Sequence, residues 1–162
     1  MKIYIGPQIG LSEFDGVDLS ISWLDEPVVS YEPTLVGNEN VAFLLKNGEI
    51  LKRIEDFSIE NLKGVNFGIA VGNDAKYPEF FHYAKSRGAN IVVVYEKASN
   101  VSELIYIKNR AWVHSQESST MVISIVKIMD SVRYNVYGNM EKFDNFGVIL
   151  ESGSPAVMEV SP

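Results

Sequence analysis

The sequence predicts an α/β fold of mixed sheets, and three observations lead there. Residues 68–94, GIAVGNDAKYPEFFHYAKSRGANIVVV, read as a strand, a sharp turn, a helix and a second strand. Turn-rich hairpin signals flank that unit: Asn47-Gly48 within NVAFLLKNGEILKRI, and Asp144-Asn145 with Gly147 within MEKFDNFGVIL. The runs NIVVVY and TMVISIVKI are apolar at both alternating sets of positions, as strands covered on two faces are.

Taken in order, Lys2–Ile5 reads as a first strand. Leu19–Leu24 alternates Leu19, Ile21 and Trp23 against Asp18, Ser20 and Ser22, the pattern of a half-buried strand. Pro27 and Pro33 bracket VVSYE, which suits an edge strand. Phe67–Val71 leads into the turn at Gly72. Pro78 then sits in the first helical turn, where its missing N–H is not needed, and Glu79 suits the positive end of the helix dipole. Tyr77, Phe80, Phe81 and Ala84 form one apolar stripe, and Gly88 supplies a left-handed stop. A second helix is expected from Val101 to His114, opened by Asn100 and Glu103 as a capping box, with Val101, Leu104, Ile105, Ala111 and Trp112 as its stripe. Gly48-Glu49-Ile50-Leu51 and Gly147-Val148-Ile149-Leu150 read as counterparts in two halves of a pseudo-symmetric, two-sheet architecture.

The 162 residues suit a single domain, 1–162, able to bury roughly 70% of its unfolded surface. A net charge of −7 with no basic run argues against nucleic-acid partners and against docking on an anionic membrane. No apolar stretch reaches membrane-spanning length, and MKIYIGPQIG lacks the form of a signal peptide, so a cytoplasmic location is expected. The chain has no cysteine, which removes disulfides, thiolate metal sites and a Cys nucleophile together. His82 stands three residues after Glu79, a spacing also used by metal sites, but without further ligands it reads as a surface pair. No metal and no cofactor is expected, and no G-x-S-x-G, Walker or G-x-G-x-x-G pattern occurs.

The segment 68–94 resembles the nucleophile region of the carbon–nitrogen hydrolases, the nitrilase superfamily. Gly68, Asp74, Tyr77, Pro78, Glu79, Gly88, Ala89 and Asn90 match that family's G-x-x-I-C-Y-D-x-R-[FY]-P-E…G-A-[DN] pattern, with Lys76 in place of Arg. NENVAFLLKNGEILKR is similar to its G-E-I-L hairpin, NRAWVHS to its R-A-x-E-N segment, and FGVILESGSPAVMEVSP to its closing strands. The likeness is clear over 38–162 and weak over 1–37. It implies a two-sheet sandwich with one outer helical layer retained and the N-terminal helical layer reduced or lost. It also implies a homodimer joined through helices near 78–87 and 101–114, with Phe80, Phe81, Tyr83, Ile105 and Trp112 as interface candidates.

The departures concern chemistry. The family resembles a Cys–Glu–Lys machine, yet the position matching its Cys is Gly72, the register of its Lys falls near Asp56, and the segment bearing its Glu is missing. The second Glu of R-A-x-E-N falls at Val113. Lys52 and Lys63 lie near the Lys stretch and read as solvated strand-face residues, while Asp74 reads as a turn acceptor. The expectation is a catalytically silent, nitrilase-like binding or scaffolding module. Gly72, Asn73, Asp74, Lys76 and Glu79 are expected to surround any remaining pocket, with an unknown small molecule as a candidate ligand. The alternatives are a divergent amide or nitrile hydrolase working without Cys, with Asp74, Lys76 or Glu79 around an activated water, and an accessory subunit of an active relative.

Overall fold

Parallel strands need long crossovers while antiparallel ones close with short turns, and this chain uses both in each of two sheets. A computed structural model describes residues 1–7, 16–25, 33–151 and 156–160. The first sheet holds β1 (Lys2–Ile5), β2 (Leu19–Trp23), β3 (Thr34–Gly37), β4 (Ala42–Lys46) and β5 (Glu49–Ile54), with β12 (Ala156–Glu159) at its edge, in the order β12-β1-β2-β3-β4-β5. The second holds β6 (Ser58–Leu62), β7 (Val65–Val71), β8 (Ile91–Ala98), β9 (Met121–Ile128), β10 (Ser131–Tyr137) and β11 (Val148–Leu150), in the order β11-β10-β9-β8-β7-β6.

The two sheets repeat one plan. β1, β2 and β3 are parallel and β4 and β5 follow antiparallel, just as β7, β8 and β9 are parallel and β10 and β11 follow antiparallel. The outer antiparallel neighbour of β1 is β12, and that of β7 is β6. The two G-x-I-L segments therefore lead into β5 and β11, equivalent strands of the two sheets. At the Asn47-Gly48 turn both residues have positive φ, 52° and 76°, as that hairpin requires.

Helix α1 (Pro78–Ser86) joins β7 to β8, and α2 (Val101–Ser118) joins β8 to β9. Both lie on the outer face of the second sheet, where Phe81, Ala84 and Ala111 pack on Ala70, Val92, Val94 and Val122. The alternate residues Ile69, Val71, Ile91, Val93, Tyr95, Ile123 and Ile125 face the first sheet. This two-sided covering is why these strands are apolar throughout. The core between the sheets is completed by Ile3, Ile5, Leu19, Ile21, Trp23 and Leu35.

Two expectations change, and one strand has no counterpart in the sequence reading. Leu19–Trp23 is buried on both faces, not one. Its serines mark small hydroxyls within the interior, and Ser20 Oγ lies 2.9 Å from Thr34 Oγ1 in a buried hydrogen bond. The chain continues from β2 into β3, a central strand whose four residues, TLVG, are too few to show a period. Helix α2 runs one turn beyond His114 to Ser118, and its buried face is Ile107, Ala111, His114, Ser115 and Ser118 instead of the stripe through Val101 and Ile105, both of which are exposed. Asn100 does cap it, Oδ1 accepting from Glu103 N at 2.9 Å, while Glu103 Oε2 accepts from Ser99 N. The edge strand expected at 28–32 and the turn at 152–155 fall outside the described residues.

His114 ties the two helices together, its ring stacked on Phe81 with centroids 4.4 Å apart. Burial, reinforced by the Arg110 charge, holds its pKa below the ordinary 6.5; Glu117 and the Ala75 backbone oppose this, and His82 adds a weaker push downward. The unfolded chain therefore binds this proton more readily than the folded one. The stability from neutral His114 is complete above pH 6.5 and is lost as pH falls through the lowered folded value. Urea denaturation near pH 7.5 and pH 5.5 is expected to show a smaller pH-dependent loss in His114→Phe than in the natural protein. An equal loss in both would contradict the assignment.

Candidate functional site

The strand-to-helix corner is built at the carboxyl end of β7, where parallel α/β sheets place their ligands. Val71 ends the strand, Gly72–Lys76 wind into a 3-10 turn, and Tyr77 leads into α1. Gly72 has φ +55°, a left-handed conformation that costs other residues energy. A Cβ built on Gly72 would overlap the backbone carbonyl oxygen of Glu39 and lie 3.4 Å from its carbonyl carbon. The β3–β4 loop of the first sheet thus fills the space a side chain would need.

That loop is fixed by its own sequence. Asn38 Oδ1 accepts from Asn40 N at 2.8 Å and Val41 N at 2.9 Å, and Asn38 N donates to Val41 O at 2.9 Å. From the other side, Asp74 Oδ2 accepts from Phe57 N at 2.8 Å. The Phe57 ring then stacks on Phe80, centroids 4.7 Å apart, with Tyr77 edge-on to Phe80. The corner is therefore tied to β3–β4 and to the β5–β6 connection at once.

Beside Gly72 lies a crevice of about 340 Å³, lined in part by Glu39, Asn73, Lys76, Glu96 and Arg110. Glu96 of β8 and Arg110 of α2 form an ion pair with both side chains at least nine-tenths covered, and Arg110 also sits over the Tyr106 ring at 5.4 Å. Burial pushes the Glu96 carboxyl above the usual Glu range, and the Arg110 guanidinium partly restores it. Glu103 and Lys97 also line the crevice, giving three carboxylates and three cations. The sequence carried one signal of the pair: Glu96 follows an otherwise apolar strand, NIVVVYE, and a charge there needs a partner.

The residues expected around a pocket divide. Gly72, Asn73 and Lys76 line the crevice. Asp74 is committed to Phe57, and Glu79 is exposed on α1 outside the crevice lining. Asp56 is exposed in the β5–β6 connection, Lys52 pairs with Glu60, and Lys63 reaches Asp18 at 3.3 Å. Among the described residues no group of three or more His, Asp or Glu side chains is arranged to hold a metal ion. Of the interface candidates, Phe81 is 1% exposed and belongs to the interior, because the helix stripe points it under α2. Tyr83 at 49% and Ile105 at 53% are exposed, while Phe80 and Trp112 are half-buried, Trp112 Nε1 donating to Phe146 O at 2.8 Å. The crevice is lined by charged side chains of both signs, with no Ser or Thr hydroxyl and no His imidazole among them.

No protein-family model and no curated protein sequence matches the chain. Solved structures do. A cysteine-to-alanine mutant of the Nesterenkonia AN1 amidase from the nitrilase superfamily is similar over 97% of this chain and 88% of that one, with a TM-score of 0.66 and 14% identity. Nit3 of Saccharomyces cerevisiae, a member of branch 10 of that superfamily, gives 0.70 at 10% identity over 99% and 90%. A carbon–nitrogen hydrolase from Helicobacter pylori G27 gives 0.71 at 9% identity over 98% and 89%. In another structure of the Nesterenkonia amidase, the acetamide moiety of fluoroacetamide is covalently added at the active site cysteine. The fold of this chain is the nitrilase-superfamily sandwich, with α1 and α2 the helices of its described residues. Among those residues no helix is long and apolar enough to cross a membrane.

Asp74 is expected to act as a structural acceptor. Asp74→Ala leaves Phe57 N–H without its partner and should cost about 1–2 kcal/mol in denaturant unfolding. Asp74→Asn keeps an acceptor oxygen and should recover most of that loss. Equal stability of Asp74→Ala and the natural protein would remove the role.

Proposed function

We propose that this chain is a catalytically silent member of the nitrilase superfamily, a single domain over 1–162 that works by binding and scaffolding. The observation that carries the reading is the corner itself, where the Glu39 carbonyl fills the side-chain space at Gly72. If Gly72 stands where the Nesterenkonia enzyme carries its cysteine, this chain has neither the sulfur nor the room for it. Loss of a nucleophile costs on the order of 10⁶ in rate in a catalytic unit of this kind. The complete absence of cysteine from the sequence agrees. A hydrolase using Asp74, Lys76 and Glu79 around a water is poorly supported, because Asp74 is engaged and Glu79 stands apart from the crevice.

Self-association through the helical layer belongs to the same reading. Tyr77 at the N-cap of α1, Tyr83 on α1, and Ile105 and Tyr106 on α2 expose large apolar surface, and covering each such side chain contributes about 1.5–3 kcal/mol. A few such residues suffice for a dimer of ordinary interface size.

Two measurements test this. Acetamide and a simple nitrile are expected to be hydrolysed at the uncatalysed background rate by the natural protein and by Gly72→Cys alike. Turnover by the natural protein, or recovery of turnover in Gly72→Cys, would contradict the silent reading. Light scattering is expected to give twice the 18.1 kDa chain mass, reduced to one chain in the double variant Tyr83→Glu/Ile105→Glu. An 18.1 kDa species at all micromolar concentrations would contradict the helix-mediated dimer.

A further inference from the structure

We propose that a cleft at the end of the sandwich opposite the Gly72 corner binds a small amphiphile carrying an anionic head and one apolar chain. The cleft measures about 690 Å³, within the range of small-molecule sites. It opens where β8 and β9 begin, at Ile91 and Met121, whereas the corner lies where β7 ends. Ile149 of β11 lines it from the second sheet, and Met158 of β12 with Val160 line it from the first. Met121, Ile149, Met158 and Val160 are only partly buried and pack directly on the inter-sheet core. The apolar layer between the sheets therefore comes to the surface here. On the other flank of the sandwich the edges are clasped, Lys52 of β5 pairing with Glu60 of β6.

The mouth of the cleft is cationic in a chain whose net charge is −7. Lys85 and Lys142 both line it. Lys85 Nζ donates to Asn90 Oδ1 at 2.8 Å and to Ser119 O at 3.1 Å, which orients the ammonium and leaves one of its three donors for a ligand. Lys142 has no ion-pair partner among the described residues. The one carboxylate of the lining, Glu159, has a side chain 77% exposed and lies 4.0 Å from Lys2. The crevice at the corner, with equal numbers of acids and bases, has no such bias.

The rim is held by specific hydrogen bonds. Gln116 of α2 binds the 138–147 loop twice, Nε2 donating to Gly138 O at 2.7 Å and Oε1 accepting from Met140 N at 2.8 Å. Asn139 Nδ2 donates to Ser119 Oγ at 3.0 Å, and Asn139 O accepts from Lys142 N at 2.9 Å. Lys142 is thus carried on a braced loop above an apolar floor, the arrangement that suits a carboxylate or phosphate head with its chain directed between the sheets. This inference concerns a separate site and stands or falls independently of the silent corner.

Isothermal titration of the full chain with decanoate, below its micellar concentration, tests it. Saturable one-to-one binding is expected. Decanol, which lacks the charge, and butyrate, which lacks the chain, should each bind at least about tenfold more weakly. Lys142→Glu, at an exposed position that leaves the core intact, should weaken decanoate at least about tenfold, and Ile149→Trp should abolish binding by filling the floor. Circular dichroism confirms that each variant is folded, and Asn73→Ala at the corner should bind as the natural protein does. The proposal is overturned by absence of saturable decanoate binding, by equal affinity for decanol, or by Lys142→Glu binding unchanged. Association only with anionic phospholipid vesicles would overturn it too.

Discussion

The approach of the Glu39 carbonyl to Gly72 is the constraint on which the rest of the molecule turns. It brings a loop of the first sheet against the end of a strand of the second, at the corner where β7 turns towards α1. Glycine accepts both the positive φ and the contact; any other residue must move the Asn38 turn or the strand end. Position 72 is a packing point between the sheets. The ion pair of Glu96 and Arg110 completes it, covering the crevice floor with charges that satisfy each other.

Two-sheet repetition explains how the core is built while the α-helices of the described residues, α1 and α2, both lie on the second sheet. Each sheet contributes three parallel strands and an antiparallel pair, and the strands closing the plan, β6 and β12, are exchanged along the chain order, β12 returning from the far end to flank β1. The core lies between the sheets and draws on both, so α1 and α2 cover the second sheet without being needed for inter-sheet contact. The same repetition leaves the sandwich flanks unequal. Charged side chains clasp β5 to β6, whereas partly buried Ile149 and Met158 of β11 and β12 reach the surface beside two lysines.

The parts legible in the sequence were those with local physical signatures. Asn47-Gly48, Pro78 with Glu79, Gly88 and the Asn100–Glu103 box each act over a few residues and stand where they were read. β3 was missed because four residues show no period, and β6 and β10 because their mixed polarity reflects partial exposure. Ser20 and Ser22 misled because alternation of chemistry is not alternation of exposure when small hydroxyls are buried. At the site, Gly72 was legible as the glycine of a strand-to-helix turn, but what occupies the space beside it was not. The carbonyl that fills it comes from Glu39, 33 positions away, and only the stacking of the sheets brings the two together. The Glu96–Arg110 pair was hidden for the same reason, its members lying on different elements.

The stability of Gly72→Ala tests the central claim most directly, because a single methyl group probes the occupied space without adding chemistry. The account predicts a loss of at least about 2 kcal/mol in denaturant unfolding with an unchanged denaturant dependence. Stability within a few tenths of a kcal/mol of the natural protein would mean that the corner has room for a side chain, and would contradict the account.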